Sequence, residues 1–323
     1  MKTGIFLLHE NFHQNQSNAI LKELDMAVYA ESLGFEEVWL AEHHFNSFSI
    51  IPNPTLAMAY LSAKTSKMRL GSAAFLAPFY HDVRLAEEIA TLDVLSGGRI
   101  NAGFAKGGFA LDMEYFEKSP DELRAQMYES VEHIKNLLHS DKTLQPQRVQ
   151  EKVPFFIATF STHETIEYAA KYGYGLMFSQ GASLEECKSA SELYHSISGV
   201  FPEAIVMRIF NVAKTNKEAK EAAIPATDYF IKCMQAVKAK KEQPAFTQEN
   251  YEALLAQRYE FFHAKKFIDA GIIGTADECV EQIQKLKNAI PNLHLILKTA
   301  SLDLDTSRAM LKEFSEDIKP LIV

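Results

Sequence analysis

Glu36-Glu37-Val38-Trp39-Leu40-Ala41-Glu42-His43-His44-Phe45 runs from a short apolar segment straight into an acid and two imidazoles, with no spacer between them. Val38 to Ala41, preceded by the turn signal Leu33-Gly34, suits a strand buried on both faces. The ionisable cluster then stands at the strand's carboxyl end. In α/β barrels and open α/β sheets that rim is where ligands and catalytic groups collect, because the loops there are carried by rigid strands. Adjacent histidines in a strand point to opposite faces, so one of His43 and His44 can aim at a given ligand while the other supports the structure. No His-x-x-x-His or Cys-x-x-Cys spacing accompanies them, and no metal site is expected.

Working outward, the same unit repeats. A strand at about residues 3 to 8 precedes apolar residues at helical spacing, Ile20, Leu21, Leu24, Ala27, Ala30 and Leu33, which stop at Gly34. Further strands are expected at 38–43, 68–76, 100–105, 155–158, 176–178, 205–212 and 293–297, with helices at 54–63, 83–95, 120–138, 163–172, 184–196 and 307–322 and a long helical region after the seventh strand. Alternation of this kind means parallel strands with crossover helices. Eight such strands predict a single closed (β/α)8 TIM barrel spanning residues 1–323. Two spacings are uneven. Residues 139–153 read as a polar surface loop or small hairpin, and an insertion at about 217–273 separates strands seven and eight. A compact barrel seldom needs so long a connection. A lid, an oligomer contact and extra helices packed on the outside are all open readings of it.

Composition narrows the function classes. With 47% hydrophobic residues among 323 the chain can bury one large core. A net charge of -9 gives no basic face for nucleic acid or an anionic membrane, so a small-molecule ligand is expected. Cys187, Cys233 and Cys279 are odd in number and far apart, which suits a reducing cytoplasm better than a disulfide framework. The amino-terminal apolar run is too short for a signal peptide and no window approaches membrane-spanning length, so the reading is a soluble, unexported protein.

Several rim segments offer chemistry. Leu70-Gly71-Ser72-Ala73-Ala74-Phe75 ends a strand in small side chains, which lets a flat ligand approach the backbone, though small residues also serve helix packing. Ala105-Lys106-Gly107-Gly108 offers backbone amides and a cation to an anion, without the spacing of a P-loop or a dinucleotide fingerprint. Ser161-Thr162-His163-Glu164-Thr165 can cap the next helix or bind phosphate with the same groups. Arg84 or Arg99 can pair with Glu87.

Together, Gly34-Phe35 through Phe45, Pro52-Asn53-Pro54, Gly71-Ser72-Ala73-Ala74, Val83 to Glu88, Leu92-Asp93-Val94-Leu95-Ser96-Gly97-Gly98-Arg99 and Gly274-Thr275-Ala276-Asp277-Glu278-Cys279 resemble the bacterial luciferase-like flavin monooxygenases, the alpha chain of luciferase in particular. The resemblance implies an oxidoreductase that takes reduced FMN from a separate flavin reductase and uses O2, through a C4a-peroxyflavin, to oxygenate a small organic substrate such as an aldehyde or another apolar compound. It implies His43 as the catalytic histidine, titrating near neutrality, with Glu42 as the acid that tunes it. Ala73 and Ala74 would form a non-proline cis peptide against the isoalloxazine, and Lys106, Ser161, Thr162 and Thr165 would hold the phosphate. Asp112 matches an acid that affects reduced-flavin binding. A dimer, identical chains being the expectation, is the family pattern, with helices two and three as its contact. Two departures bear on light emission: the site cysteine is replaced by Ala105, and Thr159 or Phe160 stands where an acid precedes the phosphate-binding serine. Alternatives on the same fold are a hydride-transfer oxidoreductase using flavin or the deazaflavin F420, and a flavin-binding protein without turnover. Phe45, Phe48, Phe109, Phe178, Tyr259, Phe261 and Phe262 are candidate walls for an apolar substrate, aromatics being as often core.

Overall fold

Side chains that alternate along a parallel strand must find apolar cover on both faces, and here the inner cover is other strands. The structure, a computed structural model, describes residues 1–46, 48–238 and 264–322. Its strands are β1 (Lys2–Leu7), β2 (Glu37–Leu40), β3 (Arg69–Ser72), β4 (Phe75–Leu76), β5 (Ile100–Ala105), β6 (Phe155–Thr159), β7 (Gly175–Phe178), β8 (Ala204–Val212), β9 (Ile272–Gly274) and β10 (Leu293–Thr299). All pair in parallel in the order β1-β2-β3-β5-β6-β7-β8, and β10 joins β8 back to β1. The sheet therefore closes into the eight-staved barrel that the alternation predicts. Two short strands are additional: β4 extends the third stave along β5, and β9 pairs with the end of β8. The stretch expected as one strand at 68–76 is thus two pieces, β3 and β4, divided at Ala73-Ala74.

Trp39 shows how the inside is filled. Its partner in register on β3 is Gly71, and a Cβ there would stand 2.4 Å from the indole Cε3. Only a glycine lets that ring lie across the barrel, where it meets Phe156 edge-on at 5.3 Å. Phe6, Leu8, Ala74, Met177, Ile205, Met207 and Ile296 complete this inner cluster. Residues of the opposite parity, such as Ile5, Val38, Leu70, Phe104 and Leu297, pack outward against the helices.

The helices start and stop where local chemistry directs. α1 (Gln16–Ser32) is capped by Asn15, and α2 (Pro54–Lys64) by Asn53 with Pro54 at its first position. α3 (Asp82–Ser96) ends on Gly97 in the left-handed region, φ 67°. A short helix, α4 (Ala110–Tyr115), precedes α5 (Leu123–His139), where the periodicity predicts one helix from 120. Next come α6 (His163–Tyr172), α7 (Leu184–Ser198), α8 (Asn216–Lys238) and α9 (Ala264–Ala270). α10 (Ala276–Ala289) opens on a capping box formed by Thr275 and Glu278, and α11 (Leu304–Glu313) follows β10. Arg84 pairs with Glu87 at 2.9 Å, while Arg99 is a rivet. It donates to the carbonyls of Ser62, Thr65 and Met68 and so fixes the end of α2 to the start of β3.

Candidate active site

β2, β3, β5 and β6 are consecutive staves, so His43, Ala73-Ala74, Lys106 and Ser161 lie side by side along one arc of the carboxyl-end rim. The small-residue edge is built from Ala41, Ala73, Ala74, Ala105 and Ala158, all in or against the inner cluster. The Ala73-Ala74 peptide bond is cis. Five alanines on neighbouring strand ends leave a shelf where larger side chains would fill the mouth.

The two histidines part ways as adjacent residues in extended chain do. His43 donates its backbone N–H to the Ile51 carbonyl at 3.3 Å, and its ring lies between Phe48 and Phe109, at 4.7 and 5.4 Å. Its Nδ1 is buried with no hydrogen-bond partner among the described residues. Burial, and then the neighbouring His44, push its pKa well below the usual imidazole range. The expectation that His43 titrates near neutrality is therefore corrected: the ring is neutral at pH 7. His44 turns the other way, sharing a hydrogen bond of 3.1 Å with Glu42 and packing edge-on against Phe116.

Glu42 also departs from its expected role. One of its oxygens bonds His44, and the other accepts from the Leu76 amide at 3.2 Å and the Tyr80 hydroxyl at 2.7 Å. It braces the second and third staves together rather than orienting the His43 ring. Burial pushes its carboxyl up, against the opposing pull of the His44 and Tyr80 hydrogen bonds.

Asp112 is a rim carboxyl whose pKa is raised toward neutrality. It sits in the first turn of α4, is fully buried, and neither carboxyl oxygen has a hydrogen-bond partner among the described residues. Burial, with Glu42 adding to it and His44 opposing, pushes it up to about 6. A buried carboxyl without a donor costs stability and is kept where a ligand supplies the partner.

On β6, Thr159 Oγ1 is likewise buried without a hydrogen-bond partner among the described residues. Beyond it the chain turns at Ser161, whose φ is 62°, into α6. Thr162 is the N-cap residue and makes no side-chain cap bond, so its hydroxyl is not spent on capping. Thr165 is different: its hydroxyl shares a hydrogen bond of 3.0 Å with Tyr128 and accepts from Arg124 at 3.2 Å. Arg124 also faces Glu164 at 3.6 Å, so a guanidinium stands at the first turn of α6. Sequence reading missed Arg124. Its signal was a cation in the first turn of a helix, where the dipole disfavours one. Lys106 is half-buried, with Nζ near Gly108.

The described part of the insertion roofs this mouth. On α8, Ala219, Ala223, Phe230, Ile231 and Met234 belong to the inner cluster, Phe230 meets Phe48 at 5.6 Å, and Tyr229 meets Phe12 at 4.7 Å. Phe48 and Phe109 are therefore walls of the site and Phe45 is exposed beside it. Phe178 is not a wall, because its parity on β7 turns it outward into the helix layer. Tyr259, Phe261 and Phe262 lie outside the described residues.

The model of a family described as luciferase-like monooxygenase matches residues 1–292. The alkanal monooxygenase alpha chain of Photorhabdus luminescens is 33% identical over 215 residues, 61% of this chain and 59% of that one. The chain thus spans about three-fifths of the length of that curated relative. The oxygenase component of a flavin-dependent trigonelline monooxygenase of Acinetobacter baylyi is 24% identical over 99% of this chain and 95% of its own. The crystal structure of the monooxygenase RslO1 from Streptomyces bottropensis superposes with a TM-score of 0.85 at 24% identity, covering 100% of both chains.

Proposed function

Because this chain belongs to the luciferase-like monooxygenase family, we propose that it is the oxygenase component of a two-component FMN-dependent monooxygenase, fed by a separate reductase and acting with O2 on a small organic substrate. The observation that carries the proposal is the pairing of a shelf of alanines with buried polar atoms that have no hydrogen-bond partner among the described residues, His43 Nδ1 and the Asp112 carboxyl. A flat, polar-edged ring answers both needs. Residues at the start of α6 suit the other end of such a cofactor, since the uncapped helix terminus, Ser161, Thr162, Lys106 and Arg124 offer amides, hydroxyls and cations to a phosphate.

Reduced FMN, when bound, supplies the electrons with which O2 is activated. The protein's own tasks follow from its side chains. Neutral His43 relays a proton at the reacting edge, taking one at a ring nitrogen as the other gives one up so that the ring stays uncharged, and the phenylalanines around it, with α8 above, exclude water. Asp112, with its pKa near 6, holds or releases a proton within the same mouth. Phe48, Phe109, Phe230 and Met234 favour an apolar substrate, such as an aldehyde. We assign a homodimer to the chain, with α2 and α3 in contact, because Leu56 and Tyr60 on α2 and Val94 and Leu95 on α3 are exposed there.

The test is to reconstitute the protein with FMN and a general flavin reductase, and to screen aldehydes, ketones and thioethers for an O2-dependent product. Product with FMN is expected. Turnover with reduced F420, no consumption of O2 and no oxygenated product would favour hydride transfer instead, and tight flavin binding with no product from any substrate would favour a binding protein.

A further inference from the structure

A second group of ionisable side chains gathers where β1 gives way to α1, apart from the His43 arc. Glu10 and Lys298 are both buried and form an ion pair at 2.7 Å. Glu23, on the inward face of α1, is buried as well, and accepts the backbone N–H groups of His9 at 2.7 Å and Glu10 at 3.1 Å. Two carboxyls therefore share one ammonium. Burial, with the charge of Glu10 next, pushes Glu23 up to about 8 against the pull of the His9 and Glu10 amides and of Lys298. Glu10 Oε1 and Asn11 Oδ1 are buried acceptors without a hydrogen-bond partner among the described residues. A carboxylate oxygen buried without a donor is costly unless something supplies one.

Two cavities meet at this point. A void of about 30 Å³ and a cleft of about 330 Å³ share Glu10, Phe12, Glu23 and Leu304 as walls. The void is the size of one water-like head group. Beyond it the cleft runs outward past Phe12 and Leu304, and at its edge three acids, Asp25, Asp303 and Asp305, outnumber Lys22 and Arg308. A metal ion is a poor match, since no cluster of three or more His, Cys, Asp or Glu side chains among the described residues is placed to hold one. An ammonium carries three donors, which suits Glu10 Oε1 and the Glu23 carboxyl on the wall of the void and Asn11 Oδ1 on the wall of the cleft beside it.

We infer that this void and cleft form a binding site for a primary organic ammonium, its head beside Glu10 and Glu23 and its alkyl tail along Phe12 and Leu304. Lys298 limits the site to one further positive charge, because it already neutralises Glu10 and leaves only the Glu23 carboxyl, which gives up its proton as the ammonium binds. The occupant would touch the loop whose His9 carbonyl accepts from Ile50, next to the Ile51 carbonyl that holds the His43 amide, so two backbone bonds join this loop to the segment that carries His43.

The experiment is calorimetric titration of the full chain with n-butylammonium chloride, against butyltrimethylammonium chloride and potassium chloride at equal ionic strength. Saturable binding of n-butylammonium alone is expected, with Kd rising at least about tenfold in Glu10→Gln, the usual scale for one charge-assisted hydrogen bond. A heat no larger than that of potassium chloride, equal binding of the trimethylated ion, or an unchanged Kd in Glu10→Gln overturns the inference. Should Glu10→Gln fail to fold, Leu304→Trp fills the cleft from the half-exposed start of α11. Loss of binding in that variant supports the site, and retained binding overturns it.

Discussion

The two ends of the barrel treat buried polar groups in opposite ways. At the amino-terminal end, Glu37 accepts from the Trp39 indole at 3.0 Å and pairs with His294 at 3.1 Å, and His294 faces Glu203 at 3.8 Å. Beside them Arg69 donates to Asn101, Gln150 and the Ile100 carbonyl. At the carboxyl-terminal rim, His43 Nδ1, both Asp112 oxygens and Thr159 Oγ1 are buried without a partner among the described residues. One end is a plug in which, of these groups, only Glu37 Oε1 lacks a hydrogen-bond partner among the described residues, and it faces the Lys2 ammonium at 4.0 Å, while the other end is kept incomplete at a cost to stability. That division teaches where to look for a ligand: the cost of an unsatisfied group is tolerated where binding removes it.

The largest expected effect comes from breaking the rim. His43→Ala is expected to lower oxygenated-product turnover by about 10²- to 10⁴-fold, the usual scale for a proton-transferring group, with FMN affinity by fluorescence quenching nearly unchanged. Turnover equal to that of the parent would remove His43 from the chemistry. The plug should respond in stability alone. Glu37→Leu strands the His294 imidazole and the Trp39 N–H, and is expected to cost about 3–5 kcal/mol in urea unfolding while the folded protein still binds FMN. Loss of flavin affinity in the folded variant would mean that the two ends are not independent.

Asp112 and His294 sharpen the comparison through pH. Asp112 has a folded-state pKa raised to about 6, so the stability linked to its protonated form is present below its unfolded value and is lost as pH rises through about 6. Asp112→Asn should remove that loss and raise stability at pH 7 by up to about 3 kcal/mol, while flavin-dependent activity falls. A variant less stable than the parent at pH 7 would show that Asp112 is satisfied after all. His294 is pushed down by burial, but hydrogen bonds to Glu203 and Glu37 more than reverse this. Its contribution is therefore full below the unfolded imidazole value and fades as pH rises through the higher folded one, a fading that His294→Leu should abolish in urea unfolding followed from neutral to alkaline pH. The smallest effect expected is at the phosphate end. Arg124→Ala should weaken FMN binding by about tenfold, and riboflavin binding hardly at all.

Much of this was legible because it rests on local pattern. Mostly apolar runs of three to nine residues between helical periods located every stave, and Gly34 marks the end of α1 by its own chemistry. The block ending in Arg99 was legible as a motif yet says nothing of catalysis, since its guanidinium is consumed by the carbonyls of a neighbouring helix. What could not be read is whatever depends on a partner far along the chain. Glu42 stands next to His43 in sequence, but Tyr80 and Leu76 claim it. Arg124 reaches Thr165 across 41 positions, and Asp112 is marked only by the bonds its carboxyl lacks among the described residues. Phe178 shows the limit of composition as a guide, because its direction is set by its parity on β7 and not by its being aromatic.

The most direct measurement is a crystal structure of the protein soaked with FMN. The account predicts the isoalloxazine on the alanine shelf at Ala73-Ala74, its polar edge within hydrogen-bonding reach of His43 or Asp112, and the phosphate at the start of α6 beside Ser161, Thr162 and Arg124. Flavin density elsewhere on the barrel, or a phosphate bound away from α6, would contradict it.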